Sequence, residues 1–157
     1  LNPSIKLIFI MREPVSRAWS AVNNGVRKGY ASGNLTLSNA LHRAHSKSFL
    51  ARSAYTETIA RLESVFPKPQ LHFCFFDYLK KEPGPFAARI LAFLGVDSSN
   101  TDALLPPGAV NSAAGSKPVP PEFQYAIAQE SLPMVEALCH RFDGPPHNWL
   151  ATYRKLL

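Results

Sequence analysis

The stretch Ile5-Lys-Leu-Ile-Phe-Ile-Met-Arg-Glu-Pro-Val-Ser-Arg-Ala-Trp-Ser20 limits the folds open to this chain more than any other. Residues 5 to 11 are nearly all apolar and alternate poorly, the pattern of a strand buried on both faces of a parallel sheet. Arg12 ends the run, and Pro14 suits the first position of a helix, where its missing N–H would have no partner anyway. Val15, Ala18, Trp19 and Val22 recur at i, i+3, i+4 and i+7 as one apolar stripe, with Ser16, Arg17, Ser20 and Asn24 on the other side. Gly25 is the expected stop of that helix. The result is a strand, a turn and a helix whose polar groups gather where α/β proteins bind ligands, beyond the carboxyl ends of their strands.

The rest of the chain repeats the alternation. Leu37, Ala40, Leu41 and Ala44 suggest a short helix inside a polar, basic segment broken by Gly29, Gly33 and Asn34. Tyr55, Ile59, Leu62 and Phe66 recur at helical spacing, with Ser53 as the expected N-cap and Pro67 as the stop. Residues 70 to 76 read as a second buried strand, and Pro83 to Leu94 as a helix ended by Gly95. Residues 97 to 121, with five prolines and two glycines, show no periodicity and read as one long loop. Beyond it, Pro121 to Gln129 and Leu132 to Phe142 read as two helices, because Pro133 is better placed at a helix start than inside one. Gly144-Pro-Pro marks a turn, after which Trp149, Leu150 and Tyr153 can pack a last helical turn on the core. This order implies an α/β protein with a parallel sheet. Two strands are few for such a sheet, so either further strands escape the pattern or part of the sheet precedes Leu1.

Charge narrows the partner. Seventeen Lys+Arg against eleven Asp+Glu leave +6, which favours an anionic partner without choosing among phosphorylated cofactors, polyanions, nucleic acids and acidic membranes. The adjacent basic pairs are Arg27-Lys28, Lys80-Lys81 and Arg154-Lys155, too scattered for the clustered runs typical of nucleic-acid binders. Cys74 and Cys139 lack metal-ligand spacing and read as core thiols. No stretch is long and apolar enough to span a membrane and none resembles a signal peptide, which favours a cytoplasmic protein. The chain opens on Leu1-Asn-Pro rather than methionine, so a preceding segment is expected.

At the first turn, Arg12 presents a forked, permanently charged donor and Ser20 a hydroxyl, a pair able to grip one phosphate. The competing reading pairs Arg12 with Glu13 or Asp77 and leaves Ser20 as a surface residue. The string Arg12-Glu-Pro-Val-Ser-Arg-Ala-Trp-Ser20 resembles the 3′-phosphate-binding motif of the PAPS-dependent sulfotransferases, an apolar strand followed by R-x-P-x-x-R-x-x-S. Ser53-x-Tyr55, Phe66-Pro67, Phe73 to Leu79, Ala92 to Val96, Asn111, Gly115-Ser116-Lys117-Pro118 and Trp149 follow in an order similar to that family's.

The resemblance implies a single domain over residues 1 to 157 with a partial P-loop-like three-layer fold, a short parallel sheet flanked by helices. It further implies transfer of a sulfuryl group from 3′-phosphoadenylyl sulfate (PAPS) to an acceptor hydroxyl or amine, with no metal. Arg12 and Ser20 would hold the 3′-phosphate; Lys117, with Gly115 and Ser116, would close over it; Phe76 would lie beside the adenine; Asn24 is a weaker nucleotide contact. The family's Gly/Ser/Thr/Lys loop for the 5′-phosphosulfate and its catalytic base both precede this motif, and no counterpart is found here. None of His42, His45, His72, His140 and His147 is assignable as the base. A non-catalytic nucleotide-binding remnant of the family and a basic nucleic-acid-binding module are the alternatives.

Overall fold

A computed structural model of the chain describes residues 2–29, 35–97 and 118–157. Its elements are β1 (Leu7–Met11), α1 (Pro14–Arg27), α2 (Leu37–Ala44), α3 (Lys47–Ser53), α4 (Tyr55–Val65), β2 (Leu71–Phe75), α5 (Phe76–Lys81), α6 (Pro83–Leu94), α7 (Pro121–Cys139) and α8 (Pro145–Leu156). The protein is α/β and mostly helical. Its backbone divides into two compact units: Leu1–Arg12 with Ile59–Ala114, and Glu13–Thr58 with Gly115–Leu157.

The first unit is built on the sheet. β1 and β2 pair in parallel with Leu7 opposite Leu71, Phe9 opposite Phe73 and Met11 opposite Phe75. The Phe9 and Phe73 rings meet edge to face at 6.4 Å, an arrangement aromatic quadrupoles favour. Met11, Cys74, Phe75 and Phe86 are buried, but Ile10 is 44% exposed. The expectation of strands covered on both faces is therefore not met among the described residues, where the sheet has two strands. α6 ends as its sequence suggests: Gly95 takes the left-handed φ of 79° that a side chain would resist, and Val96 N–H donates back to Leu91 O.

The second unit is a helical cluster in which α1, α2 and α8 pack with α7. Val15, Ala18, Trp19 and Val22 of α1 are all buried, as their spacing requires, and Trp19 meets Phe123 of α7 at 5.1 Å. Ala40 and Ala44 of α2, Ile127, Ala128, Val135 and Leu138 of α7, and Trp149, Leu150 and Tyr153 of α8 complete this core.

Three local expectations are corrected, and one helix that the sequence does not signal is added. α1 runs through Gly25 to Arg27, and the left-handed residue is Gly29 at φ 72°. Gly25 instead makes room: a Cβ there would lie 2.5 Å from an Nη2 of Arg43, so the glycine admits the arginine of α2 against α1. Ser53 does not cap α4; it is the last residue of α3, and Ala54 O accepts the first α4 bond, from Thr58 N–H. α3 itself buries no side chain, hence it shows no apolar stripe in the sequence. Finally, residues 121 to 139 form one helix with Pro133 inside it. Pro133 is exposed, and buried Ile127 and Ala128 before it and Val135 and Leu138 after it carry the helix through the missing N–H.

Candidate functional site

Parallel register brings two of the expected residues together. Because Met11 pairs with Phe75, the next residue of each strand is Arg12 and Phe76, side by side at the carboxyl end of the sheet. The Arg12 guanidinium carbon lies 5.0 Å from the centre of the Phe76 ring, within cation–π range. Lys80, one turn along α5, places its Nζ 5.5 Å from the same ring. Two cations thus converge on one aromatic ring. Lys80 escapes a reading of the sequence because the β1–β2 pairing has no local signature.

The start of α1 is organised differently from a helix terminus left open for an anion. One Glu13 carboxylate oxygen accepts from Val15 N–H at 2.8 Å and from the Tyr153 hydroxyl, and the other accepts from Ser16 N–H at 2.6 Å. Helix N-termini bind anions through such N–H groups and through the positive end of the dipole. Here an internal carboxylate already does so. An external phosphate at this turn could not use those two amides without displacing Glu13.

Ser20 is exposed on α1, which leaves its hydroxyl accessible in the second unit. Asn24 is also exposed, and its Oδ1 accepts from Arg27 Nη2 at 3.2 Å. Arg17, the second arginine of the sequence motif, ties α3 to α1, because its Nη2 donates to Phe49 O at 3.1 Å and to Ser53 Oγ. Beside it opens a cleft of about 370 Å³ lined by Arg17, Ala44, Leu50, Glu57, Ile127 and Glu130 among others. Asn111, Gly115, Ser116 and Lys117 lie outside the described residues.

The histidines are dispersed. His45 Nε2 contacts Glu130 Oε1 at 2.7 Å, joining the end of α2 to α7. His72, in β2, stacks on Phe93 at 5.0 Å, and burial, then the Arg89 charge, push its pKa below the ordinary 6.5. His42, His140 and His147 complete the set, and none of them lies beside Arg12 in the sheet register. Among the described residues no group of three or more His, Cys, Asp and Glu could hold a metal ion. No described helix is long and apolar enough to cross a membrane.

A family model described as Sulfotransferase domain matches residues 1–108, more than half of the chain. The chain belongs to the sulfotransferase-domain family. Its fold is similar to that of the crystal structure of a sulfotransferase from Alicyclobacillus acidocaldarius, with a TM-score of 0.60 and 23% identity over 95% of this chain and 57% of that one. At that identity the likeness shows the fold, and the chain spans little more than half the length of that sulfotransferase. No curated protein matches the chain. Within the sulfotransferase-domain match fall Arg12, Ser20, Asn24 and Phe76, whereas Tyr153 and Trp149 lie beyond it, on α8.

Proposed function

We propose that this protein binds the 3′-phosphoadenosine end of PAPS and serves sulfuryl transfer from it to an acceptor hydroxyl or amine, within a single sulfotransferase domain spanning residues 1 to 157. The observation that carries the reading is Arg12 held against Phe76 at the carboxyl end of the sheet, inside the segment matched by the family. A guanidinium next to an aromatic ring suits a phosphate joined to an adenosine: the fork donates to the phosphate oxygens while the ring offers a face to the base. Ser20 adds a hydroxyl to the same phosphate in this proposal, and Asn24 and the Gly115-Ser116-Lys117 stretch are the further contacts. Since Glu13 engages the Val15 and Ser16 amides, the 3′-phosphate does not draw on those two donors in this proposal.

PAPS supplies the activated sulfuryl group; Arg12, Ser20 and Phe76 bind and orient its nucleotide. In-line transfer also needs a base for the acceptor and cations for the bridging oxygen, roles for which no residue of this chain is assigned.

Calorimetric titration with adenosine 3′,5′-bisphosphate and with adenosine 5′-phosphate tests the reading. The bisphosphate should bind more tightly. Arg12→Ala should lower its affinity by about 10- to 100-fold, the equivalent of one charge-assisted bond of about 1.5–3 kcal/mol, with little effect on the monophosphate. Ser20→Ala should act in the same direction and more weakly. Equal binding of both nucleotides, or unchanged preference in Arg12→Ala, sinks the assignment.

A further inference from the structure

We infer that Tyr153 is a positioning residue for the proposed phosphate-binding turn, acting through Glu13. The inference rests on the 3′-phosphate reading above.

Tyr153 is 1% exposed, in the last turn of α8, and its hydroxyl would be costly to bury without a partner. Its partner is Glu13, 140 residues earlier in the chain. Among the described residues the Glu13 carboxylate accepts two hydrogen bonds from first-turn amides of α1 and one from Tyr153. The two amide bonds settle where the helix starts. The third settles the direction of the carboxylate, because it approaches from a separate element and triangulates the oxygen that Val15 N–H also uses.

Pro14 reinforces the arrangement, since it is fully buried at the first helical position and holds φ where the cap requires it. α1 is thereby pinned at its start by α8 and along its length by Trp19 against Phe123. Ser20 is borne on this helix, and Arg12 immediately precedes Glu13 in the chain. Loss of the Tyr153 hydroxyl leaves the carboxylate with two bonds from adjacent residues and a freer torsion, so the turn is set less sharply. Burial first, and then the Glu13 charge and hydrogen bond, raise the Tyr153 pKa, which keeps the hydroxyl a donor throughout the ordinary pH range.

The experiment compares the wild-type protein, Tyr153→Phe and Leu150→Ala. Leu150→Ala removes apolar packing from α8 but no hydrogen bond on Glu13, and it serves as the control for general loss of stability. Two readouts are taken: amide hydrogen exchange at Val15 and Ser16, and the ratio of affinities for adenosine 3′,5′-bisphosphate and adenosine 5′-phosphate. Tyr153→Phe should speed exchange at both amides about ten-fold and reduce the 3′-phosphate preference several-fold, on the scale of one hydrogen bond. Leu150→Ala should keep the preference even where its melting temperature falls further.

Unchanged exchange in Tyr153→Phe overturns the inference whatever the nucleotide does. Faster exchange with an unchanged preference reduces Tyr153 to a structural residue and overturns the positioning role. An equal loss of preference in Leu150→Ala does the same, since the effect then follows stability. If the wild-type protein shows no 3′-phosphate preference, the nucleotide reading fails and takes the positioning role with it. The amide exchange then still decides whether Tyr153 holds the cap.

Discussion

Arg12 and Arg17 are five positions apart in one motif and do different work. Arg12 lies over Phe76 at the end of the sheet, whereas Arg17 is committed to Phe49 O and Ser53, where it joins two helices. Their residue type is the same, and the structure gives them different neighbours, an aromatic ring for Arg12 and two helix groups for Arg17. Cys74 is a second case where the surroundings decide. Its thiol is buried, contacts Phe9 O at 3.9 Å, and is pushed up from 9.0 to about 11 by burial, with Arg89 pulling the other way by less. The folded state thus favours the neutral thiol. The stability this gives is present in full below pH 9.0 and is lost as pH rises towards about 11. In a Cys139→Ser background, the thiolate absorbance of Cys74 should titrate near pH 11, and reaction with a disulfide reagent at about pH 8 should be far slower than in urea. Rapid labelling of the folded protein under those conditions would contradict this burial.

At the scale of elements, apolar spacing is a good guide wherever a helix buries a stripe. α1, α2 and α6 lie where periodicity indicates, and Gly95 ends α6 through its left-handed φ. α3 escapes because it buries nothing. α7 reads from its sequence as two helices because Pro133 carries a strong local preference, which packing on both sides overrides. A residue so placed has a measurable cost. Pro133→Ala restores the N–H that α7 lacks and should raise stability by about 1–3 kcal/mol, offset in part by the looser unfolded chain, as read from urea denaturation. A fall in stability would mean that α7 depends on the proline's geometry. The site has the same mixed legibility. Arg12, Ser20 and Phe76 can be picked out one by one, but no pattern in either strand reveals that Arg12 and Phe76 become neighbours. That follows from which strands pair and in what register.

For the whole molecule, the two units differ in how well they bury their apolar groups. The second unit holds most of the fully buried side chains, among them Phe123, Val135, Leu138 and Tyr153. Among the described residues the first rests on a two-stranded sheet and leaves Ile5 at 42%, Ile10 at 44% and Val96 at 52% exposure. Local stability follows such differences. Amides of α7 and α8 should therefore be the slowest to exchange under native conditions, with those of β1 and β2 faster; the reverse order would show that the sheet has support beyond that seen among the described residues. Membership of the sulfotransferase-domain family, matched over residues 1–108, agrees with the α/β order that the sequence implies. The resemblance of single motifs and the family match over residues 1–108 point to the same family.

The Glu13 cap has one consequence for how this protein can change over time. Anion sites made of backbone amides are part of the fold, and no single substitution can remove one without disturbing the helix that forms it. With the Val15 and Ser16 amides engaged by Glu13, the proposed phosphate site draws its specificity at this turn from replaceable side chains, Arg12 and Ser20 in that proposal. Ligand preference and folding are then separate traits, and one codon can alter the first while leaving the second intact.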